Sequence, residues 1–126
     1  MKRSALLSIG SGADGMAATL HIANLPASAT QAAKAYYAAW ADKVEQAVLE
    51  AGGCLTLRFD PAARDHQAWR RAAVADLARG HAPIRINAVA GPQGPAFDQV
   101  VVWLENAPGI TGQLLAVDSQ RSKIAA

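Results

Sequence analysis

The residue types that carry most enzyme chemistry are sparse in this sequence and lie far apart along it. The histidines are His21, His66 and His81, and Cys54 is the single cysteine. Zinc sites hold their cysteine and histidine ligands at short, regular spacings, and none of these four residues has such a neighbour. No Gly-x-Ser-x-Gly motif is present to carry the nucleophile of a hydrolase triad. The sequence therefore predicts neither a metal site nor serine-nucleophile chemistry.

A glycine cluster, Gly10-Ser11-Gly12-Ala13-Asp14-Gly15, follows the first apolar segment. In dinucleotide-binding folds such a loop joins a strand to a helix, where backbone N–H groups approach the pyrophosphate. Gly10, Gly12 and Gly15 are the candidate residues for NAD or NADP. However, residues 16–23 resemble a second strand and leave no room for that helix. We therefore predict a flexible turn and no bound cofactor, with an NAD or NADP loop as the alternative.

Basic residues offer a further candidate site, because four arginines lie on one predicted helix: Arg64, Arg70, Arg71 and Arg79. They could form a phosphate patch, but we favour a solvated helix face. The net charge is +2, and the twelve lysines and arginines are spread along the chain without a block. This distribution predicts that nucleic acid is not a partner.

Apolar residues recur at strand and helix spacing over most of the chain. They predict strands near 4–9, 17–23, 54–59, 84–90 and 113–117, and helices near 30–51, 65–79 and 97–106. The long helix shows an apolar stripe of Tyr37, Trp40, Val44 and Val48. Helices alternate with strands from residue 31 onward, and the last strand–helix–strand unit is expected to be right-handed. The fold class predicted is α/β, a Rossmann-like three-layer sandwich with a mostly parallel sheet.

The size and composition of the chain predict one domain over residues 1–126, in a cytoplasmic protein without a membrane segment. Within it we expect N-terminal strands over 1–24, a βα core over 25–118 and a polar tail over 119–126. No apolar run approaches the ~20 residues of a membrane span. A signal peptide is not expected, because Ser8 and Gly10 interrupt the first apolar stretch. A single cysteine suits a reducing compartment.

Two segments carry a family resemblance. Ile84-Arg85-Ile86-Asn87-Ala88-Val89-Ala90-Gly91 resembles the I-R-V-N-A-V-A-P-G segment of short-chain dehydrogenases/reductases. Ile110-Thr111-Gly112-Gln113-Leu114-Leu115-Ala116-Val117-Asp118 is similar to the I-T-G-Q-x-L-x-V-D-G-G segment that closes that family's sheet. Both occur in the family's order, each on a predicted strand. The resemblance is strong over 62–118 and implies a truncated, catalytically degenerate family member.

The departures from the family pattern concern its catalytic residues. Family members carry Tyr-x-x-x-Lys at the start of the helix that precedes the first segment, and here Pro61 and Asp65 occupy those positions. The family serine has no counterpart near the end of the preceding strand. The only tyrosines, Tyr36 and Tyr37, have no lysine four residues later. The resemblance therefore implies a chain with no catalytic residue, and the short connection between the two segments implies a missing substrate lid.

The function predicted is that of a non-catalytic subunit. It would assemble with a complete, active short-chain dehydrogenase as a hetero-oligomer, or with itself as a homo-oligomer. In the family, the helix before I-T-G-Q and the last strand form one dimer contact, and two longer helices form the other. The interface residues expected from this comparison are Val100, Val102, Trp103, Gln113, Leu115, Val117, Tyr37 and Trp40.

Three other functions remain open from the sequence. One is a minimal NAD(P)-dependent oxidoreductase that uses Gly10–Gly15 and takes its proton donor from Tyr36 or Tyr37. A second is a small-ligand or acyl-binding module with a pocket at the strand ends near Asn87 and Gly91. The third is a self-associating protein without further chemistry.

Overall fold

A computed structural model of the chain, which describes residues 7–12 and 15–118, contains one five-stranded sheet. Its strands run in the order β1-β2-β3-β4-β5. β1 pairs antiparallel with β2, and the remaining neighbours pair in parallel. The predicted α/β class and the parallel arrangement of the three C-terminal strands are therefore confirmed. The strands are β1 (Leu7–Gly12), β2 (Gly15–Ile22), β3 (Cys54–Phe59), β4 (Arg85–Ala90) and β5 (Leu114–Ala116).

Helices cover both faces of the sheet. The first helical region consists of α1 (Ala29–Ala35), a π turn (Tyr36–Trp40) and α2 (Ala41–Ala51), and the others are α3 (Gln67–Gly80) and α4 (Pro95–Glu105). A 3-10 turn, Arg64–His66, precedes α3. The predicted helices are thus confirmed within a few residues. Residues 4–6 of the predicted first strand and the predicted tail, 119–126, lie outside the described residues.

The two faces form separate apolar clusters, because side chains alternate along each strand. Leu55, Leu57 and Phe59 of β3 pack against the first helical region and α3. On the other face, Val89 of β4 packs with Phe97, Val101 and Leu104 of α4. The molecule is therefore the three-layer sandwich that the sequence predicts.

The crossover through α4 differs from the other two. β2, β3, β4 and β5 follow one another in one direction across the sheet, yet α4 lies on the face opposite the other helices. The three crossovers therefore cannot share one hand, and the unit through α4 has the hand opposite to that of the other two. Two arginines of the second face hold α4 there. Arg58 Nη2 donates to Asp98 Oδ1 at 2.7 Å, and Arg85 Nη1 donates to the Leu104 carbonyl at 3.0 Å.

The π turn changes which tyrosine enters the core. A regular α-helix would place Tyr37 on the stripe of Trp40, Val44 and Val48, as the sequence predicts. The π turn over Tyr36–Trp40 takes up one extra residue and shifts the phase of the helix. Tyr36 is therefore buried at 2% exposure, whereas Tyr37 is 54% exposed. The predicted membership of Tyr37 in the apolar stripe is wrong for this reason.

Candidate functional site

The parallel strands end at one edge of the sheet, and two cavities lie along that edge. The first, the β2–β3 cavity, has a volume of 420 Å³ and is bordered by Asn24 and Asp60, which follow these two strands. The second, the β4–β5 cavity, has a volume of 310 Å³ and is bordered by Gly91 and Asp118. Ligands of open α/β sheets bind outside the carboxyl ends of the strands. The segment 61–63, His66 and Arg70 border both cavities.

The resemblance matches Pro61 and Asp65 to the family's proton-transfer pair, and of these two residues Pro61 lines the strand-end cavities whereas Asp65 does not. Pro61 borders both of them, and Asp65 lies exposed in the 3-10 turn that leads into α3. Proline has no proton to transfer, and a carboxylate cannot supply the positive charge of a lysine. Asp65 also accepts no capping hydrogen bond from α3, whose N-cap residue is His66 and has no side-chain cap.

The two tyrosines lie away from the strand-end cavities. Tyr36 packs its ring against Trp69 and Phe59, with centroid distances of 5.4 and 6.5 Å. Burial, followed by the charges of Tyr37 and Glu45, raises the pKa of Tyr36 above its ordinary value. Both tyrosines border a different cavity of 290 Å³ between the first helical region and α3. The geometry therefore puts neither phenol at the strand ends.

His66 is held in one tautomer between the two layers. Its ring is 2% exposed, and its Nδ1 accepts a hydrogen bond from Trp69 Nε1 at 3.3 Å. Its Nε2 lies 2.8 Å from the carbonyl oxygen of Ala27, which can only accept. The proton therefore belongs on Nε2, as assigned from these two partners. Both ring nitrogens are engaged, so His66 serves to join the 24–28 segment to α3.

Arg70 is the one arginine of the predicted cluster that is buried. Arg64, Arg71 and Arg79 are exposed, as a solvated helix face predicts, but Arg70 is 6% exposed. Its guanidinium carbon lies 4.5 Å from the centroid of the Phe59 ring. Burial lowers the pKa of Arg70, and the negative charge of Asp60 raises it. The solvated-face prediction is therefore wrong for this residue.

The polar residues of the two resembling segments bind each other. Asn87 Nδ2 donates to the Ile110 carbonyl at 3.0 Å, and Asn87 Oδ1 accepts from the Gln113 backbone N–H at 3.0 Å. The backbone N–H of Ile86 donates to Thr111 Oγ1 at 3.0 Å. Asn87 is fully buried with both ends of its amide in use, so it contributes nothing to a ligand pocket. Of the two residues near which a pocket was predicted, Gly91 borders the β4–β5 cavity and Asn87 does not.

Arg85, like Asn87, uses its side chain to bind β4 to the segment that follows α4. Its guanidinium donates from Nη1 to the Ala107 and Ile110 carbonyls at 2.9 and 3.3 Å, and from Nη2 to the Glu105 carbonyl at 3.1 Å. With the bond to Leu104, four carbonyls at and beyond the C-terminus of α4 are satisfied. Helix C-termini leave such carbonyls without intrahelical partners, and a cation there is favourable.

A family model described as "Short chain dehydrogenase-like protein" matches residues 20–117 of the sequence. The chain belongs to this short-chain dehydrogenase-like (SDR-like) family. Comparison with curated proteins and with solved structures finds no match. The match covers β3, β4, β5 and all helices, but only the end of β2, and it leaves β1 out. The part of this SDR-like chain that the family model matches is therefore its parallel βα portion.

The glycine cluster of the SDR-like chain belongs to a β-hairpin. Gly10 and Gly12 lie in β1 and pair with Ala17 and Gly15 of β2. β2 then continues in parallel with β3, so the cluster is followed by a strand and not by a helix. The turn interpretation is the one that agrees with this geometry. A pyrophosphate site of the strand–loop–helix kind does not form at the described glycines.

The predicted interface residues fall into three groups. Val102 and Trp103 of α4 are 55% and 57% exposed, and Tyr37 is exposed on the other side of the sheet. Gln113 is exposed, whereas Val100, Leu115 and Val117 are half-buried around the second apolar cluster. Trp40 is 9% exposed, because it lies on the same core-facing stripe as Val44 and Val48.

Sequence reasoning missed Arg70, although a signal for it was present. The buried residues of α3 are Arg70, Ala73, Val74 and Ala78, which follow one another at helical spacing. An arginine on the buried stripe of a helix is unusual enough to indicate a role.

In the part of the chain that the structure describes, no cluster of histidine, cysteine and acidic residues could hold a metal. Within residues 7–12 and 15–118, no helix is long and apolar enough to cross a membrane.

Proposed function

We propose that this SDR-like chain is a non-catalytic subunit that assembles with a complete, active short-chain dehydrogenase and completes its oligomer. The observation that carries the proposal is the presence of Pro61 and Asp65 where the family has its tyrosine and lysine. In the family that tyrosine transfers a proton to or from the substrate, and the lysine lowers its pKa. A chain with the family's sheet and helices, but without this pair, retains the elements that the family uses for assembly.

The outer side of α4 supports the assembly role. Val102 and Trp103 are consecutive residues, and each leaves more than half of a large apolar side chain in water. The inner side of the same helix is already buried, because Phe97, Val101 and Leu104 pack in the second cluster. Adjacent exposed apolar side chains mark interaction sites more often than isolated ones, and tryptophan is enriched among interface hot spots.

The edge of the sheet next to α4 extends this surface. β5 pairs with β4 alone among the described strands, so its other side offers backbone groups to a neighbour. Leu115 and Val117 lie beside α4 in the second cluster. The matching helix and last strand form a dimer contact in the family. We therefore propose α4 and β5 as the main contact of the subunit.

A second contact would involve the first helical region and α3, the counterparts of the family's two long helices. Tyr37 is 54% exposed, and Leu49 is 72% exposed on α2. The side chain of Tyr37 borders the 290 Å³ cavity between these helices. Two separate contacts of this kind would let one chain occupy a position within a tetramer, and the protein would work in the cytoplasm beside its partner.

Variants on the two surfaces test the proposal by sedimentation velocity of mixtures with a complete short-chain dehydrogenase. Trp103→Ala should raise the dissociation constant about 30-fold, which corresponds to ~2 kcal/mol for truncation of a central aromatic. Met16→Ala, at an exposed apolar residue of β2 outside both surfaces, is the matched control and should leave the dissociation constant unchanged. Equal affinity of the Trp103→Ala variant and the unmodified chain would count against the α4 surface.

A second candidate function is the binding of a small ligand at the strand ends. The observation that favours it is the pair of cavities, 420 and 310 Å³, which are within the size range of small-molecule sites. This function is compatible with the first, because the cavities lie at the edge of the sheet and the exposed part of α4 does not border them.

A further inference from the structure

We propose that the strand-end cavities bind a small organic oxyanion, a carboxylate or a phosphate monoester, whose charged group is held by Arg70. This inference develops the second candidate function and does not depend on the subunit role. Arg70 borders both cavities and is 94% buried, whereas the three other arginines of this region are exposed.

Among the described residues, the buried guanidinium of Arg70 has a donor without an acceptor. An arginine presents five N–H donors, and a buried charge is unfavourable unless it is paired and hydrogen-bonded. Its Nε finds no hydrogen-bond acceptor among the described residues. Its close contacts are instead with aromatic rings, 4.5 Å from the Phe59 centroid and 5.8 Å from the Trp69 centroid. Stacking on ring faces fixes the guanidinium plane and leaves its N–H groups available to an anion.

The surroundings of the β4–β5 cavity favour negative charge at this point. Arg70 and Arg71 both border it, and so does Gln67, the first residue of α3. The first turn of this 14-residue helix carries no acidic residue and no side-chain cap. The N-terminus of a helix carries a partial positive charge, which adds to that of the arginines.

Two carboxylates border the cavities and limit where the anion can lie. Asp60, at the β2–β3 cavity, has its Oδ1 2.7 Å from His21 Nε2, and its side chain is 44% exposed. Asp118 borders the β4–β5 cavity on the side of β5. Asp60 offsets part of the charge of Arg70 from the β2–β3 side, whereas at the β4–β5 cavity Arg70 and Arg71 face one bordering carboxylate, Asp118. The charged group of the ligand belongs there, between Arg70 and Arg71.

The β2–β3 cavity supplies room for the apolar part of the ligand. Ile22, Leu25 and Pro26 form one side of it, and Pro61 and Ala62 lie on the side shared with the other cavity. A short aliphatic chain attached to a carboxylate or phosphate fits this division into an apolar and a basic part. Such a molecule would place its head on Arg70 and its chain beside Pro61, the residue that the resemblance matches to the family's tyrosine.

Titration with four related probes tests the proposal, with the Arg70 Nε–H and Trp69 indole N–H signals followed by ¹⁵N NMR. Hexanoate and hexyl phosphate carry the charge, hexanamide has the shape of hexanoate without it, and inorganic phosphate has the charge without the chain. We expect hexanoate or hexyl phosphate to bind at least about tenfold more tightly than hexanamide, since hydrogen bonds to charged groups are the stronger ones. The tighter of the two charged probes identifies the head group.

Variants then assign the binding to Arg70. Arg70→Gln should weaken the charged probe about tenfold or more, Arg70→Lys should restore part of the affinity, and Arg79→Gln, an exposed control on the same helix, should change nothing. Equal binding of hexanoate, hexyl phosphate and hexanamide would overturn the proposal, and so would unchanged binding by a folded Arg70→Gln variant. The comparison of charged and neutral probes uses the unmodified chain, so it decides the matter even if Arg70→Gln does not fold.

Discussion

Replacement of Arg85 by methionine should destabilise the C-terminal part of the fold more than any change to an exposed arginine. Arg85 is 4% exposed and donates to four carbonyls, those of Leu104, Glu105, Ala107 and Ile110. Methionine has a similar length and fills much of the same space, but it donates no hydrogen bond. The variant therefore isolates the polar role of Arg85 from its volume.

The magnitude follows from how far water can replace the guanidinium. The bond to Leu104 is buried, and its loss should cost ~1 kcal/mol, because the carbonyl keeps the Ala107 backbone N–H as a donor at 3.2 Å. The other three carbonyls are part-buried, and each should lose ~0.5–1 kcal/mol because water can reach them. Removing a buried charge returns ~1 kcal/mol or more of desolvation. The expected loss in free energy of unfolding is therefore about 2 kcal/mol.

Urea denaturation followed by circular dichroism measures this loss, and native-state hydrogen exchange locates it. Amide protection should fall first in α4 and in the 106–113 segment, which Arg85 joins to β4. Arg79→Met is the control: Arg79 is exposed and pairs only with Asp76 on the same helix, so its removal should change stability by less than ~0.5 kcal/mol. An Arg85→Met variant as stable as the Arg79→Met variant would refute the capping role.

Three further predictions address other parts of the chain. Gly91→Ala should destabilise the protein by ~2 kcal/mol or more in urea denaturation, because Gly91 has a φ of +150° and a Cβ there would overlap the Val117 carbonyl; an unchanged midpoint would contradict this packing. Because burial raises the pKa of Tyr36 in the folded state, its contribution to stability is present below pH ~10 and is lost above it by ~1.4 kcal/mol per pH unit. Tyr36→Phe should remove that component of alkaline unfolding, while Tyr37→Phe should remove less of it. Finally, calorimetry of the isolated chain with NADH and NADPH should detect no micromolar binding, and binding that Gly12→Val abolishes would restore the cofactor-loop alternative.

Much of the architecture could be predicted because strand and helix spacing agree with each other from residue 31 onward. The alternation of Leu55, Leu57 and Phe59 predicted β3 within its observed bounds. The family resemblance lies on two predicted strands, at 84–91 and 110–118. The structure supplies its physical basis, because the side chains of Arg85 and Asn87 bind the 104–113 segment. Local pattern and tertiary contacts point to the same fold here.

The features that sequence reasoning missed depend on tertiary geometry. A π turn leaves no clear mark in composition, so the exchange of Tyr36 for Tyr37 in the core was not predictable from helical spacing. The position of α4 on the second face depends on two arginines whose partners are 40 and 19 residues away in sequence. Arg70 was assigned to a solvated face because charge usually marks the wet side of a helix, and only the stacking on Phe59 shows otherwise.

The central claim, that this SDR-like chain serves as a non-catalytic subunit, is tested most directly by sedimentation with a complete partner. The chain and a short-chain dehydrogenase from the same source, with Tyr-x-x-x-Lys intact, are expressed together, purified and analysed as a mixture and separately. We predict one hetero-oligomer of defined stoichiometry whose reductase activity depends on the partner's tyrosine alone, and which Trp103→Ala dissociates. A chain that remains a stable monomer in the presence of that partner, or that reduces carbonyls by itself, would contradict the claim.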